Sequence, residues 1–331
     1  MIYIHIPFCE SFCTYCGFYS EICSGGVQKL FVRELTEEIE HRREEMKGTL
    51  GVNTLYIGGG TPSVLPAEDL RSIVDALGFR DYDEFTVEVN PEDIVLKGRD
   101  YLRALREMGV NRISMGVQSF DDDILSWMGR RHSASGAREA FFMLRSEGFD
   151  NISIDLISGL SNLSDESWRA TVEEAVRLAP EHISAYQLSI EEGSALADMV
   201  DAGRYHEADD EHCRRQYDMI CDILRGAGYH HYEISNFAVP GKEAVHNSAY
   251  WRRVPYVGLG PGAHSLRGDD VRSWNSRDIS GWTSEEEHLT PEEIREERYM
   301  LGLRTDLGVD GLVIPEKDWF VSDAIISDLL S

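Results

Sequence analysis

Three cysteines near the start of the chain have a spacing that suits an iron–sulfur cluster. Cys9, Cys13 and Cys16 form a C-x3-C-x2-C array, so three thiolates lie within eight residues. Full protein ligation of a [4Fe–4S] cube takes four cysteines, and three would leave one iron open to a small molecule. A zinc site is an alternative if Cys23 supplies a fourth ligand. A disulfide is less favoured because three of the six cysteines are crowded into one loop.

Glycines and single polar residues follow the apolar segments farther along the chain. The run from Gly58 to Gly60, followed by Thr61, could let the backbone approach a ligand closely, although a tight turn would explain it too. The polar residues are Glu88, Gln118, Arg130 and Asp155. An arginine can pair with a ligand carboxylate through two hydrogen bonds, and carboxylates can accept from ribose hydroxyls. For a carboxylate such as Glu88, the alternative is a solvated strand end.

Late in the chain an imidazole stands close to two aromatic residues. His246 is followed by Tyr250 and Trp251. A neutral imidazole is a common axial ligand of heme iron, and aromatic rings offer flat apolar faces for a porphyrin. Arg252 or Arg253 could meet a heme propionate. An isolated histidine is more often a satisfied core residue, so the residue types alone leave both interpretations open.

Alternating strand and helix patterns must position these residues. Short apolar strands are predicted at residues 2–6, 53–57, 84–89, 112–115, 151–156 and 183–188. Amphipathic helices are predicted at residues 28–45, 67–77, 98–108, 134–147 and 165–178. This alternation is typical of an α/β fold with a parallel sheet, either a partial (β/α)6 barrel or a doubly wound sheet. In both folds ligands bind at the carboxyl ends of the strands, where the polar residues are expected.

The cysteine array and its flanking residues resemble the radical S-adenosylmethionine (SAM) superfamily. Residues 3–8 read Y-I-H-I-P-F and residues 17–19 read G-F-Y, which is similar to the branch that holds the oxygen-independent coproporphyrinogen III oxidases and the heme chaperones. The resemblance implies a partial (β/α)6 radical SAM barrel, a [4Fe–4S] cluster on Cys9, Cys13 and Cys16, and bound SAM. The positions that match the family's SAM site are Tyr3, Gly59, Gly60, Thr61, Glu88, Gln118, Arg130 and Asp155.

Two features divide this branch. The oxidases are expected to carry a fourth cysteine where this chain has Phe18. Residues 246–251 read H-N-S-A-Y-W, which is similar to the H-N-x-x-Y-W motif that marks the heme chaperones. The resemblance therefore favours a heme chaperone in which His246 binds heme, and heme passes to acceptor hemoproteins. The alternative is an anaerobic oxidase that cleaves SAM and decarboxylates coproporphyrinogen III, and whether the protein is an enzyme is left open.

The chain is strongly acidic. It has 59 acidic and 32 basic residues and a net charge of −27. Such a field repels phosphate backbones, so a nucleic-acid partner is not expected, nor is a radical SAM enzyme acting on RNA. No apolar run approaches the length of a membrane span. We expect a cytoplasmic protein; peripheral attachment to the inner membrane, an acceptor located there and a homodimer are all left open.

Three regions are predicted along the chain. Residues 1–235 form the radical SAM (β/α)6 core, and residues 236–289 form a linking region with the heme motif. Residues 290–331 form a small, mostly helical C-terminal domain. Its first helix is expected to begin after a Thr290 cap, because Pro291 and two glutamates suit a first turn.

Overall fold

The core of the protein is an open sheet of parallel strands that follow one another in the chain. The computed structural model describes residues 1–22, 25–48, 51–78 and 81–330. Each core strand pairs in parallel with the next. The strands are β1 (Ile2–Ile6), β2 (Thr54–Gly59), β3 (Glu84–Val89), β4 (Arg112–Gln118), β5 (Ile152–Ser158) and β6 (His182–Gln187). The predicted partial (β/α)6 arrangement is confirmed, and the doubly wound alternative is wrong because the strand order does not reverse.

Further strands extend this sheet at both edges. β7 (His230–Glu233) and β8 (Asn236–Ala238) continue it beyond β6 with antiparallel pairing, and β9 (Val257–Leu259) pairs in parallel with β1. In the described parts of the chain the two edges do not pair with each other, so the barrel is open. β8 and β9 come from residues 236–289, so the predicted linking region also contributes to the core sheet. The division into three regions stays a prediction.

Helices connect the strands and cover the outer face of the sheet. They are α1 (Gly25–His41), α2 (Arg43–Gly48), α3 (Ala67–Leu77), α4 (Pro91–Glu107), α5 (Asp122–Trp127), α6 (Ala134–Ser146), α7 (Asp165–Leu178), α8 (Ala195–Asp201) and α9 (Asp210–Gly226). Ser133, Ser164, Ser194 and Asp209 accept backbone N–H groups at the starts of α6 to α9. Such caps satisfy amides that have no partner inside the helix.

Two predicted helices differ from those observed. The pattern at residues 28–45 is divided at Arg42, because α1 ends at His41 and α2 begins at Arg43. The guanidinium of Arg42 donates to the carbonyl oxygen of Gly258 at 2.7 Å. α4 begins at Pro91, and Gly98 inside it has a φ of 70°. That backbone conformation interrupts the helix, which is why the apolar periodicity indicated only the part after Gly98.

The two faces of the sheet differ in polarity, because alternate residues of a strand point to opposite faces. On the outer face, apolar residues such as Ile4, Ile57 and Val87 are buried in the main core. The inner face carries polar residues that line a large cavity, among them Tyr56, Glu88, Arg112, Ser114, Gln118 and Asp155. The sheet therefore encloses a polar interior.

The remaining chain packs around this core. α10 (Val245–Trp251) precedes β9, and β10 (His264–Arg267), β11 (Val271–Asn275) and β12 (Ser284–His288) form an antiparallel sheet. α11 (Pro291–Gly302) and α12 (Ser322–Leu330) surround a small core of Leu303, Ile314, Trp319 and Ile326. The predicted cap is confirmed, since Thr290 and Glu293 form a capping box. Among the described residues, no helix has the length and apolarity that crossing a bilayer requires.

Candidate cofactor-binding site

The three cysteines lie on a loop that the rest of the protein holds in place. The amide of Cys9 donates to the carbonyl oxygen of Glu21 at 3.1 Å. The amide of Thr14 donates to the carbonyl oxygen of Met128 at 2.9 Å, and the Thr14 carbonyl accepts from the amide of Leu196 at 2.8 Å. These bonds attach the loop to the end of α5 and the start of α8. Because the loop follows β1 directly, the thiols stand at the carboxyl end of the first strand.

The thiols share one cavity with a volume of about 990 Å³. Cys9, Cys13 and Cys16 all line it and none is in a disulfide. Cys9 Sγ lies 3.5 Å from Thr61 Oγ1, and Cys13 Sγ accepts a hydrogen bond from Arg130 at 3.4 Å. Burial raises the pKa of Cys9 and of Cys16. Bound iron would oppose this shift, because metal coordination deprotonates a thiol.

The zinc alternative receives no support from the geometry. In the described ranges, no three His, Cys, Asp or Glu side chains are grouped closely enough to hold one ion. A four-iron cube distributes its ligands over separate corners and does not require such a close group. Cys23, the fourth ligand in the zinc hypothesis, lies outside the described residues.

The glycine segment at the end of β2 is packed too tightly for side chains. A Cβ atom on Gly59 would lie 2.6 Å from the His5 ring, and one on Gly60 would lie 2.7 Å from the carbonyl oxygen of Phe8. Gly59 also has a φ of 113°, which favours glycine. Its amide is already used, because it donates to Glu88 Oε2 at 3.1 Å. Packing alone thus explains the glycines, and a ligand ammonium group would have to use carbonyl oxygens of this segment.

Arg130 lines the cavity, and its guanidinium is only partly used by hydrogen bonds within the described chain. Its Nη2 donates to the carbonyl oxygen of Gly116 at 2.6 Å and to Asn90 Oδ1, and its Nη1 donates to Cys13. Its Nε is buried and has no partner in the part of the chain that the structure describes. A buried donor without a partner costs free energy, so this atom suits a ligand carboxylate.

Glu88 and Asp155 place two carboxylates on the cavity wall. The Tyr56 hydroxyl donates to Glu88 Oε1 at 2.7 Å, and the Ser114 hydroxyl donates to Asp155 Oδ2 at 3.2 Å. Burial raises the pKa of Glu88 to about 7; the bond from Tyr56 opposes this shift and the charge of Asp155 adds to it. Burial also raises the pKa of Asp155. A ligand with hydroxyl groups or positive charge would relieve the repulsion between these carboxylates.

Gln118 has a strained backbone at the edge of the same cavity. Its φ is 69°, and the pairing of β4 with β5 shifts register between Gly116 and Gln118. Such a conformation costs a non-glycine residue about 1–3 kcal/mol and occurs preferentially at functional sites. A bulge can redirect a side chain toward such a site.

The structure brings together most of the residues that match the SAM site. Those that line the cavity are Gly59, Gly60, Thr61, Glu88, Gln118, Arg130 and Asp155. Tyr3 is not on the cavity wall; its hydroxyl is 3.0 Å from His5 Nδ1, and burial followed by the charge of Glu88 raises its pKa. That these residues bind SAM stays a prediction.

Sequence reasoning missed two residues that orient this set. Tyr56 donates to Glu88, while Asn90 accepts from Arg130 and donates to Thr61 Oγ1 at 3.2 Å. The sequence could have indicated Tyr56, because alternation along β2 puts its side chain on the inner face of the sheet, opposite to that of Ile57. Asn90 directly follows β3, which is where polar site residues are expected in such folds.

His246 lies completely inside the folded protein. Its relative exposure is 0%. Its Nδ1 lies 2.8 Å from Thr54 Oγ1 and its Nε2 lies 3.1 Å from the Tyr250 hydroxyl, so both ring nitrogens have partners. The amides of Val245 and His246 donate to the Glu84 carboxylate. Thr54 and Glu84 begin β2 and β3, so α10 starts at the amino ends of the strands, away from the cysteines.

The environment of His246 keeps its ring neutral. Burial, with a smaller contribution from positive charges nearby, lowers its pKa to about 3. A neutral imidazole can ligate iron, but here one of its two hydrogen bonds would first have to break. The next residue, Asn247, lines the cysteine cavity, so α10 also contributes to that site.

Comparison with known proteins identifies the family. Residues 3–175 match the Radical SAM superfamily. The heme chaperone HemW of Bacillus subtilis (strain 168) is 35% identical, and the match covers 95% of this chain and 86% of that HemW. This chain belongs to the HemW family of radical SAM proteins. The HemW of Lactococcus lactis subsp. lactis (strain IL1403) is 34% identical, with 93% of this chain and 82% of that protein covered.

Among solved structures, the coproporphyrinogen III oxidase HemN of Escherichia coli has the same fold. The TM-score is 0.77 at 23% identity, and the match covers 92% of this chain and 75% of HemN. The HemW family is a radical SAM family, which implies a [4Fe–4S] cluster and SAM. The described residues fit these groups, because three free thiols and the unpartnered Nε of Arg130 occur at one cavity.

Proposed function

We propose that this protein is a heme chaperone that binds a [4Fe–4S] cluster, SAM and heme, and transfers heme to acceptor hemoproteins. The observation that carries the proposal is the similarity to heme chaperones of the HemW family, which extends over most of both chains. The H-N-S-A-Y-W segment at residues 246–251 supports it.

On the cofactor side, Cys9, Cys13 and Cys16 hold the cluster, which when bound can pass an electron to a molecule at its open iron. Arg130 pairs with the SAM carboxylate, since its Nε has no hydrogen-bond partner among the described residues. Carbonyl oxygens of residues 59–61 accept from the SAM ammonium group. The ribose and the remaining polar atoms of SAM contact Glu88, Gln118 and Asp155. The hydroxyl of Tyr3 contacts His5, whose ring packs against Gly59.

On the heme side, residues 246–251 belong to the heme site. His246 and Tyr250 are joined by a hydrogen bond, and Tyr250 lines a second cavity, separate in its lining from the cysteine cavity. His246 is therefore an essential part of the site through its contact with Tyr250, or an iron ligand once that contact opens.

Anaerobic oxidation of coproporphyrinogen III is the competing function. The likeness to HemN concerns the fold and carries no statement about activity. Phe18 lines the cysteine cavity and is 74% exposed, at the position where the oxidases carry a further cysteine. An aromatic ring cannot replace a thiolate, so we expect no useful decarboxylation.

The test uses the full chain, reconstituted anaerobically with iron and sulfide. One sample receives heme, is gel-filtered, and is then mixed with apomyoglobin; another receives coproporphyrinogen III, SAM and a reductant. We expect a Soret band that elutes with the protein and moves to apomyoglobin, and no protoporphyrinogen IX. A protein that binds no heme, or that turns over coproporphyrinogen III steadily, would overturn the proposal.

A further inference from the structure

A second cavity lies beside α10, between that helix, the β10–β12 sheet and α11. Its volume is about 520 Å³. Tyr250, Tyr256 and Trp274 give it aromatic walls, to which Leu266 and Leu301 add aliphatic surface. The rings of Tyr250 and Tyr256 meet edge to face with their centroids 4.7 Å apart. Walls of this kind suit a large, flat and mainly apolar ligand.

The cavity contains an imidazole whose nitrogens have no hydrogen-bond partner in the described part of the chain. His264, the first residue of β10, lines the cavity and is exposed. Within the described ranges its ring contacts Trp274, at a centroid distance of 6.2 Å, and neither nitrogen has a hydrogen-bond partner. Partial burial, with Arg272 nearby, lowers its pKa, so the ring is in the neutral form that binds iron. His246, in contrast, has both nitrogens occupied.

A thioether lines the same cavity. Met300 on α11 is 38% exposed, on a helix whose other residues are mostly charged or polar. Histidine and methionine together are a known axial ligand pair for heme iron. The cavity therefore offers two donor types for iron between aromatic walls.

The charges at the cavity suit a ligand with carboxylates. Arg253 and Arg272 both donate to Glu297, which lies between them. Arg253 is buried, whereas the Arg272 side chain is 33% exposed and is 3.7 Å from Glu287. A ligand carboxylate can replace the weak contact with Glu287 and pair with Arg272, while Glu297 stays bound to Arg253. Heme propionates are carboxylates of this kind.

We propose that this second cavity is the heme site, with His264 as an iron ligand and Met300 as the second ligand. The proposal rests on the proposed function as a heme chaperone. In this arrangement His246 is a positioning residue: its Nε2 holds the Tyr250 hydroxyl and so fixes the ring that forms part of the cavity wall. The motif thus acts on heme through Tyr250, without contact between His246 and iron.

The test compares heme spectra and affinities of the full-length, cluster-loaded protein and its variants. His264→Ala should lower heme affinity about tenfold or more and shift the Soret band. Removing a residue that only holds a metal ligand in place already costs about tenfold or more in metal affinity, and removing the ligand itself should cost at least as much. Added imidazole should restore the band in His264→Gly. Met300→Leu should change the spectrum while retaining most of the affinity. The control is His288→Ala, because His288 is exposed on β12 of the same sheet and is absent from the cavity lining.

A titration with a metal-free porphyrin separates the contribution of iron ligation from that of porphyrin packing against the aromatic walls. Protoporphyrin IX should quench tryptophan fluorescence equally in wild type and in His264→Ala, because the aromatic walls remain. Iron content and melting temperature show whether each variant is folded. If heme binds to the wild type but His264→Ala keeps its spectrum and affinity, the cavity assignment is wrong while the chaperone function survives. If the wild type binds no heme at all, the proposed function itself fails.

The role of His246 has its own readout. His246→Ala should lower heme affinity, yet the heme that binds should keep the wild-type Soret position, because the iron ligands are unchanged. The opposite result would be that His246→Ala loses the wild-type heme spectrum while His264→Ala keeps it. That result would show that His246 is the iron ligand and would overturn the inference.

Discussion

Replacing Arg130 tests the cofactor site most directly, because the proposed interaction uses a donor that has no partner among the described residues. Two nitrogens of the guanidinium bond to Asn90, Gly116 and Cys13, while Nε is buried without a partner in the described chain. If the SAM carboxylate accepts from Nε, binding satisfies this donor and forms a charge-assisted hydrogen bond. Arg130→Ala removes both gains.

The expected loss follows from the strength of such a bond. A hydrogen bond to a charged group contributes about 1.5–3 kcal/mol. Since every 1.4 kcal/mol corresponds to a tenfold change, the dissociation constant of SAM should rise by about 10- to 140-fold. Arg130→Lys retains the charge but not the planar arrangement of donors, so its loss should lie between those of wild type and Arg130→Ala.

The assay is anaerobic calorimetric titration of SAM into reconstituted protein, normalised to iron content because Arg130 also contacts Cys13. Arg138→Ala is the matched control, since Arg138 lies on α6 and pairs with Glu174 on α7, outside the cavity. Its SAM affinity should equal that of wild type. An Arg130→Ala protein with a full cluster and a dissociation constant within twofold of wild type would refute the assignment of the carboxylate to Arg130.

Three other perturbations test separate parts of the site. The Cys13→Ala protein should lose most of its iron and its brown colour. Cys213 is a buried cysteine on a helix, so the Cys213→Ala protein should retain both. Iron and sulfide are assayed in each variant, and an intact cluster in Cys13→Ala would contradict the proposed cysteine ligands. Because the pKa of Glu88 is raised from 4.5 to about 7, its carboxylate forms as pH rises through 7. SAM affinity should therefore increase from about pH 6 to about pH 8, and Glu88→Gln should flatten that profile. The same shift makes Glu88 reduce folding stability as pH rises from 4.5 toward 7, so the Glu88→Gln protein should lose less stability over that range. Gln118→Gly relieves the strain of a left-handed φ, so the free energy of unfolding measured in urea should not fall. The affinity for SAM should fall, because the side chain is lost. A large destabilisation would show that the Gln118 side chain has a structural role.

Local patterns were sufficient to predict the parallel core. The predicted strand at 84–89 and the helices at 67–77 and 165–178 have the observed limits. These segments succeed because their apolar residues are buried by neighbouring elements of the same repeated unit. One error occurs where a single residue interrupts the helical period, as Gly98 does inside α4 through its positive φ. Another is the division between α1 and α2 at Arg42, which the apolar pattern of residues 28–45 does not indicate.

The cofactor cavity was also largely predictable, for a topological reason. In a parallel sheet the carboxyl ends of successive strands are neighbours, so polar residues that follow different strands must converge. Glu88, Gln118 and Asp155 lie on one cavity for this reason. Tyr3 is the exception: it lies near the amino end of β1, and its hydroxyl is 3.0 Å from His5 Nδ1.

The surroundings of His246 could not be read from the sequence, because they depend on contacts between residues almost two hundred positions apart. Thr54 and Glu84 stand at the opposite strand ends from the expected ligands, and a strand pattern gives no reason for a later helix to dock on them. Once α10 docks there, His246 is enclosed and Tyr250 is carried to the edge of the second cavity. The proposed role of the motif in heme binding is therefore compatible with a buried histidine, because the ring of His246 determines where Tyr250, four residues later, must lie.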